Sequence, residues 1–320
     1  MGERAVPIVS VAICTRDRPE SLVQAVESIL DGQSVELELI VIDQSDRDAS
    51  ELALAPLRSE RLRYVRSSTI GKGAGLQEAV GLSTAPYLVF TDDDCVAPPG
   101  WVEGISRPLI DRPSVGLVFS SVSTPDYDPA LGYIPAYTCR VTGPVNGVLA
   151  LGRQSGLGAA MAVRREALLR LGGIDESFGP GGRFPSADDV DLELRFLLKG
   201  WEVYETGDVA VVHFGFRTLE QGKAHTVRDW SALGACLAKP VRAGRPLAAL
   251  LAVWLPLYRA VLPALGDAVH LRKPKVRRLV AYCSGFVQGL KVPVDRETLT
   301  YCTAPARGAL PDRSGRDTVS

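Results

Sequence analysis

Three acidic residues in a row, Asp92, Asp93 and Asp94, follow the apolar run at residues 87–91. Adjacent carboxylates repel one another unless a cation neutralises them, and hard divalent ions favour carboxylate oxygens. A metal bound there could neutralise a diphosphate and help it to leave. The run therefore predicts a divalent-metal site, although an acidic turn with solvated side chains would use the same residues.

Four further side chains could do chemistry near such a site. Asp188 and Asp189 begin a helical run beside the glycine-rich residues 179–185, where a carboxylate is either a helix cap or a general base. His213 ends an apolar strand, either as a core imidazole or as a ligand that completes a metal site begun by the acidic run. Lys72, between two glycines, is a flexible cation that could meet a phosphate or a base.

The elements that must position these side chains alternate between two periods in the first hundred residues. Apolar β-type runs and helical runs follow one another, which indicates βαβ units and a mainly parallel sheet. In such sheets ligands bind beyond the carboxyl ends of the strands. We therefore expect that the polar clusters that follow three of the strands lie together at one edge of the sheet. The predicted strands are residues 7–14, 37–43, 62–66 and 87–91, the helices are 18–30, 48–57 and 75–82, and the polar clusters are 15–17, 43–46 and 92–94.

The middle of the chain, up to about residue 222, mixes further strands and helices with loops. We predict a loop without regular structure at 127–146 and a buried strand of small residues at 156–163. A helix at 186–200 has Ser186 as its expected cap, acids in its first turn and glycine at its end. The remaining predictions are strands at 115–122 and 209–213 and a short helix at 165–171.

The composition is that of a folded protein, with 46% hydrophobic and 23% charged residues and a net charge of −1. This balance argues against a nucleic-acid partner, which usually meets a basic excess. The average hides a split, because residues 1–222 hold 20 basic and 31 acidic side chains whereas residues 223–291 hold 12 basic and 2 acidic. We therefore divide the chain into an acidic body at 1–222, a basic helical extension at 223–303 and a disordered tail at 304–320.

The basic extension contains an apolar run at 247–262 that includes Trp254, Tyr258 and Arg259, and its densest basic cluster lies at 270–278. This composition fits three alternatives. The extension could cap the body or a second subunit with its apolar face, it could lie on an anionic membrane surface, or residues 246–266 could span a membrane.

Six cysteines are scattered without the spacing of a metal site, and no secretory signal begins the sequence. We therefore expect free thiols in a cytoplasmic protein, either dissolved or bound peripherally to the inner face of the membrane.

Taken together, these motifs resemble family 2 glycosyltransferases. The resemblance implies the GT-A fold, a Rossmann-like, mixed but mainly parallel α/β sheet flanked by helices, here with a C-terminal helical extension. It implies a nucleotide-sugar half at about 1–115 and an acceptor half at about 116–222. The motifs cover residues 7 to about 215 and comprise segments 9–19, 39–48, 71–76, 89–98, Trp101, 158–168, 171–176, 188–195 and 212–213.

The resemblance also implies an activity and a role for each candidate residue. The reaction would be a metal-dependent, inverting transfer of a sugar from a nucleoside diphosphate sugar to a hydroxyl of a glycan, a lipid-linked or a natural-product acceptor. Asp189 would be the general base, preceded by Asp188, and Asp92, Asp94 and His213 would bind Mn²⁺ or Mg²⁺. The residues that would bind the nucleotide, most commonly uridine diphosphate in this family, are Thr15, Arg16, Asp43, Lys72, Asp92 and Asp93.

Two departures from the family pattern sharpen these expectations. Asp188 stands where the family usually has Glu, and Leu76 and Gln77 stand where it often has Arg and Asn. The second change leaves two alternatives: a cationic contact to the nucleotide is missing, or Lys72 or Arg16 supplies it.

Two other functions are weighed beside glycosyl transfer. A sugar-1-phosphate nucleotidyltransferase would carry a glycine-rich phosphate loop directly after the first strand, where this chain has residues 15–18 (Thr, Arg, Asp, Arg). A non-catalytic subunit that binds nucleotide sugars remains open as the alternative without an enzyme activity.

Overall fold

The computed structural model describes residues 7–145, 147, 151, 156–262 and 276–303. The expected tail at 304–320, most of the basic cluster at 270–278 and the last four residues of the 246–266 segment lie outside the described residues.

Nine of the described strands form one mixed sheet in the order β3-β2-β1-β4-β9-β6-β10-β5, with β8 also paired to β10. Strands β1 to β4 are parallel to one another, β6 is parallel to β10, and β9 runs antiparallel between β4 and β6. The strands are β1 (Val9–Thr15), β2 (Leu37–Asp43), β3 (Leu62–Arg66), β4 (Tyr87–Asp92), β5 (Cys95–Val96), β6 (Val115–Ser123), β7 (Gly132–Tyr133), β8 (Gly143–Val145), β9 (Met161–Arg164), β10 (Glu202–His213) and β11 (Arg217–Thr218).

Helices cover both faces of this sheet. Alternate residues of β1 and β2 belong to two separate apolar clusters, as the two-residue period of a strand requires when both faces are buried. Helices α1 and α4 supply one cluster, and α3, α6 and α7 supply the other. The helices are α1 (Pro19–Gly32), α2 (Ala49–Leu54), α3 (Lys72–Leu82), α4 (Trp101–Asp111), α5 (Arg165–Arg170), α6 (Asp188–Leu198), α7 (Leu219–Arg242), α8 (Pro246–Pro256) and α9 (Val276–Leu290), with a 3₁₀ turn at Ala55–Leu57 and a π-helix at Leu257–Val261.

The register of the parallel strands brings the polar clusters together. Thr15 pairs with Asp43, and Cys14 pairs with Asp92, so β1, β2 and β4 end at the same edge. The prediction of a mainly parallel sheet with its polar clusters on one side is therefore confirmed.

Four local predictions from the sequence need correction. The expected loop at 127–146 contains the short strands β7 and β8, and the strand expected at 209–213 begins at Glu202. The strand of small residues at 156–163 is reduced to β9, because the preceding residues form a turn closed by Ala160 N–H donating to Leu157 O at 3.0 Å. Ser186 does not cap α6, since its hydroxyl donates to Asp229 Oδ1 at 2.7 Å and Ala187 occupies the cap position.

The C-terminal helices pack on the body. The boundary expected at residue 222 falls inside α7, whose second half is buried against the main core cluster together with residues of α8 and α9. This packing agrees with a helical cap on the body. Among the described residues, no helix has the length and apolarity needed to cross a membrane.

Candidate active site

A polar cavity of about 570 Å³ lies at the sheet edge where β1 and β4 end. Its walls come from the loops after β1, β2 and β4, the start of α3, the glycine-rich loop at 180–181, and the segment that runs from the end of β10 into α7. The lining residues predicted from the sequence are Thr15, Arg16, Lys72, Asp92, Asp93, Asp94 and His213.

The central carboxylate of the acidic run is held at the base of the cavity. Asp93 accepts a hydrogen bond from Thr15 Oγ1 at 2.7 Å and one from Arg18 Nη1 at 3.1 Å. Burial raises the pKa of Asp93 to about 6, and the neighbouring Asp94 and Asp92 add to this shift against the contacts from Thr15 and Arg18. The cavity therefore holds a carboxylate that is costly to keep ionised.

Lys72 links the acidic run to the candidate base. It is the first residue of α3 and is half-buried, its Nζ contacts Asp92 Oδ1, and it lies 3.9 Å from Asp188 Oδ2. Burial opposes its charge, but Asp92 and Asp188 outweigh burial and raise the pKa of Lys72. It is thus a fixed cation rather than a flexible one, because Gly71 and Gly181 touch and the Lys72 N–H donates to Pro180 O at 2.8 Å.

Asp94 and His213 form a pair suited to a metal. Antiparallel pairing of β5 with β10 sets His213 opposite Cys95, and His213 Nε2 then lies 3.2 Å from Asp94 Oδ1. Burial would raise the pKa of Asp94, but the hydrogen bond and charge of His213 lower it, and the same pair raises the pKa of His213 against burial. The other ring nitrogen, Nδ1, lies 3.1 Å from Pro135 O, which orients the imidazole.

One oxygen of Asp94, the thiol sulfur of Cys95 and one nitrogen of His213 lie within 4.8 Å of one another. Burial raises the pKa of the Cys95 thiol well above its ordinary value. Hard divalent ions prefer the oxygen of Asp94 and the nitrogen of His213 to sulfur. Asp92 lines the same cavity but stands outside this cluster because its carboxylate contacts Lys72.

Asp189 stands at the second residue of α6, where its carboxylate accepts hydrogen bonds from the Gly158 N–H at 3.1 Å and the Val190 N–H at 2.8 Å. Burial, together with the charge of Asp188, raises the pKa of Asp189 to about 6. A carboxylate that gains a proton near pH 6 is suited to general base catalysis near neutral pH. The preceding Ala187 has φ of 63°, an uncommon conformation for a residue with a side chain.

Asp189 lines a second cavity, of about 300 Å³. Its walls are largely apolar and include Phe119, Leu157, Trp230 and Leu233, and its polar lining consists of Ser186, Asp189, Glu193, Asp229 and Arg259. A chain of contacts runs from Asp92 and Lys72, which line the polar cavity, to Asp188, the neighbour of Asp189.

Two of the predicted nucleotide-site residues, Asp43 and Arg16, do not lie inside the polar cavity as the others do. Asp43 is fully buried and does not line the cavity, because its oxygens accept hydrogen bonds from Ser45 and from the Tyr64 hydroxyl at 2.6 Å. The next residue, Gln44, lines the cavity instead. Arg16 lines the cavity at its rim, half exposed, within 3.7 Å of Asp17 and 3.6 Å of Asp46.

Sequence reasoning missed several lining residues. Arg18 was read only as part of a helix start, yet it contacts both Asp93 and Asp94 at 3.1 Å. The others are Gly215 and residues around the start of α7, namely Phe216, Arg217, Gln221, His225 and Arg228. The charge count assigned the last two of these to a separate extension. Residues 221, 225 and 228 are spaced so that they share one face of a helix, and this spacing is the feature of the sequence that could have grouped them.

With this geometry described, comparison with known proteins identifies the class. Residues 10–146 match the model of glycosyl transferase family 2. The chain is 26% identical over 127 residues to an uncharacterised glycosyltransferase of Methanocaldococcus jannaschii, an alignment that spans 38% of this chain and 44% of that relative. Residues 10–146 are therefore similar to glycosyl transferase family 2.

Solved structures give the fold. A mannosyltransferase from Pyrobaculum calidifontis, solved with GDP-mannose and Mn²⁺, is 19% identical, covers 90% of this chain and 88% of its own, and has a TM-score of 0.56. Residues 1–349 of TarS from S. aureus, solved with UDP-GlcNAc, are 13% identical, cover 88% of this chain and 81% of their own, and have a TM-score of 0.60. The fold is the GT-A fold of glycosyltransferases.

Proposed function

We propose that this chain transfers a sugar, with inversion, from a nucleoside diphosphate sugar to an acceptor hydroxyl. The observation that carries the proposal is the position of Asp189, a half-buried carboxylate with a raised pKa. It lines the second cavity and follows Asp188, whose Oδ2 lies 3.9 Å from Nζ of Lys72 in the polar cavity. The polar cavity would hold the donor and the second cavity the acceptor. The relatives solved with GDP-mannose and with UDP-GlcNAc support a nucleotide-sugar donor.

In this proposal Asp189 accepts the proton of the acceptor hydroxyl while that oxygen attacks the anomeric carbon from the face opposite the leaving group. The hydrogen bonds from Gly158 and Val190 fix the carboxylate orientation. Lys72 keeps a positive charge next to Asp188 and Asp92, which limits the mutual repulsion of the acids. Asp188, one carbon shorter than the Glu usual in the family, holds Lys72 in place.

The donor set fits a divalent cation such as Mn²⁺ or Mg²⁺. Asp94 and His213 would hold it, because a carboxylate oxygen and an imidazole nitrogen already face each other at 3.2 Å. Gly215 leaves room there, since a Cβ at this position would lie 2.7 Å from His213 Nε2 and 2.8 Å from Asp94 Oδ2. When bound, the ion would neutralise diphosphate charge.

The second cavity would hold the acceptor. The apolar walls and the ring of Trp230 suit a molecule with an apolar or ring-shaped part, and the acidic lining of Asp189, Glu193 and Asp229 disfavours an anionic group beside the base. An uncharged hydroxyl on an amphipathic acceptor would therefore be the reacting group.

The donor can be found by thermal unfolding of the chain with a panel of UDP- and GDP-sugars in Mn²⁺ or Mg²⁺, because a bound ligand raises the melting temperature. Release of the nucleoside diphosphate is then measured for Asp189→Asn, for which we expect a loss of about 10²–10⁴-fold with donor binding retained. Asp111→Asn, which removes an exposed carboxylate, is the matched control and should keep full activity.

Two outcomes would contradict the proposal. Unchanged turnover in Asp189→Asn, together with loss of metal-dependent nucleotide binding in Asp94→Ala, would favour a non-catalytic nucleotide-sugar-binding subunit. A product of retained anomeric configuration would exclude the inverting displacement.

A peripheral membrane contact is proposed for the extension. Six apolar side chains remain exposed on one face of α8, the π-helix and the residue after it: Leu250, Val253, Trp254, Leu257, Tyr258 and Leu262. Exposed basic residues Arg242, Arg245 and Arg277 accompany them, which favours an anionic bilayer as the occupant.

We expect the chain to float with vesicles of phosphatidylglycerol and not with vesicles of phosphatidylcholine alone. Val253→Glu with Trp254→Ser should abolish flotation, and Leu52→Glu, at an exposed apolar residue of the body, should not. A dimer that is lost in the double variant, without any flotation of the natural chain, would assign this face to a second copy instead.

A further inference from the structure

The polar cavity has two charged walls, which differ in whether their cationic side chains are paired with carboxylates. On the wall formed by β1, α3 and β4, each cation faces a carboxylate: Arg18 lies 3.1 Å from Asp93 and Asp94, and Lys72 contacts Asp92. Salt bridges of this kind leave little net positive charge for a ligand. This wall by itself is suited to a cation.

The opposite wall runs from Gly215 through β11 into α7. It contributes Arg217, Gln221, His225 and Arg228 to the lining. Among the described residues, no carboxylate lies within ion-pair distance of Arg217, and Arg228 Nε is only within 3.5 Å of Asp229 Oδ1. The cations of this wall are thus poorly compensated.

Two buried nitrogen atoms on this wall lack hydrogen-bond partners in the part of the chain that the structure describes. They are His225 Nδ1 and Arg228 Nε. A buried donor without a partner is costly, so such atoms mark places where a ligand or water completes the site. Burial and the charges of Arg228 and Arg217 lower the pKa of His225, which shows that the three side chains share one positive field.

The structure fixes this wall beside the candidate metal ligands. Gly215 lies against both His213 and Asp94, and only two residues later Arg217 begins the cationic wall. Thr218 and Gln221 form a capping box that sets the start of α7. Farther along the same helix, buried Lys239 is tied to Asp175 and Asp191, so the helix is anchored at both ends.

We infer that Arg217, His225 and Arg228 form the binding site for the diphosphate of the donor and of the leaving nucleoside diphosphate. Guanidinium groups bind phosphate oxygens through charge-assisted hydrogen bonds. Arg228 Nε and His225 Nδ1 have no hydrogen-bond partner among the described residues, and the His225 tautomer that carries its proton on Nδ1 would donate to a phosphate oxygen. This inference rests on the proposed function.

The site also accounts for the missing Arg-Asn pair after Gly75. Leu76 is buried, and Gln77 Oε1 accepts a hydrogen bond from the Ile174 N–H at 2.7 Å, so neither faces the cavity. Lys72 is held by carboxylates, and Arg16 lies at the rim. The cationic contact considered for Lys72 or Arg16 is supplied by α7 and the residues before it.

The test compares binding of a nucleoside diphosphate with binding of its monophosphate. With UDP or GDP, whichever the natural chain binds, and Mn²⁺ present, calorimetry gives both dissociation constants for Arg228→Gln. We expect the constant for the diphosphate to rise at least tenfold and that for the monophosphate to change less than threefold. Lys223→Gln, which removes an exposed charge from the same helix, should change neither.

His225→Gln provides a second variant that keeps a hydrogen-bonding side chain, and it carries the test if Arg228→Gln does not fold. Equal weakening of both nucleotides, or no weakening in either variant, would overturn the inference while leaving the proposed function intact. Failure of the natural chain to bind any nucleoside diphosphate would overturn both.

Discussion

Two clusters of charged side chains both include residues of α6: a buried cluster, called here the sealed cluster, and a cluster at the polar cavity, called here the open cluster. In the sealed cluster, Lys239 Nζ is 2.7 Å from Asp175 Oδ2 and contacts Asp191, while Arg195 Nε is 2.9 Å from Asp191 Oδ2. All four side chains are at most 2% exposed, and the two acids match the two bases.

The open cluster uses the same residue types with a different balance. Five acids, Asp92, Asp93, Asp94, Asp188 and Asp189, face Lys72 and Arg18, and Arg18 is 57% exposed. Two of these acids, Asp93 and Asp189, have raised pKa values because burial is not fully compensated.

The comparison separates a structural role of buried charge from a functional one. Where acids and bases are matched in number, the cluster ties elements together: Arg195 also donates to Leu171 O and Gly173 O, and Asp175 accepts from the Tyr301 N–H. Where acids are in excess, part of the negative charge is not compensated, so the cluster favours the binding of a cation or a proton. A site that binds a metal and accepts a proton requires such uncompensated negative charge.

The largest expected effect comes from breaking the sealed cluster. Lys239→Met removes the cation that two buried carboxylates share, so the free energy of unfolding should fall by about 3–5 kcal/mol. Urea unfolding measures the loss. Lys223→Met, at an exposed position on the same helix, should change the free energy by less than about 0.5 kcal/mol. A loss below about 1 kcal/mol for Lys239→Met would show that the sealed cluster does not tie the helices together.

Removal of one charge from the open cluster should stabilise the protein, whereas removal of one from the sealed cluster destabilises it. The pKa of Asp93 is about 6 in the fold against an ordinary value of 3.8, so its contribution to stability is present below pH 4 and lost as the pH rises through 6. Asp93→Asn removes that charge and should raise the free energy of unfolding at pH 8 by about 1–2 kcal/mol, after the loss of its contacts with Thr15 and Arg18.

The measurement is urea unfolding in EDTA at pH 8 and pH 5. The gain in Asp93→Asn should be smaller at pH 5, where the natural carboxyl is largely protonated. An equal gain at both pH values, or none at pH 8, would contradict the assignment of the raised pKa to Asp93.

The smallest effect sharpens the role of Asp188. Asp189 must be ionised to accept a proton, so turnover should fall as the pH drops through about 6. The charge of Asp188 contributes to that raised pKa, and Asp188→Asn should therefore move the acidic limb of the pH profile to lower pH while changing turnover at pH 8 less than tenfold. A limb that moves to higher pH, or does not move, would show that Asp188 does not set the pKa of the base.

The sequence by itself determined the sheet and much of one cavity wall. Apolar runs that end in Thr15, Asp43 and Asp92 predict parallel strands whose polar ends share an edge, because strand period and connection length are local properties. The resemblance to a family also predicted Asp189 as the candidate base and Asp94 with His213 as metal ligands.

The tertiary structure alone decided which charges face each other. Asp43 is of the expected type, but Tyr64 and Ser45 occupy its oxygens and withdraw it from the cavity. Lys239 and Arg228 belong to the same basic stretch, yet one is sealed among acids and the other lines the open cavity.

The physical reason is that an electrostatic interaction depends on distance and burial, and not on separation along the chain. A charge count showed an acidic body and a basic extension as separate units. Folding places α7 of that extension across both cavities, so that one helix supplies the cation of the sealed cluster and the cationic wall of the open one.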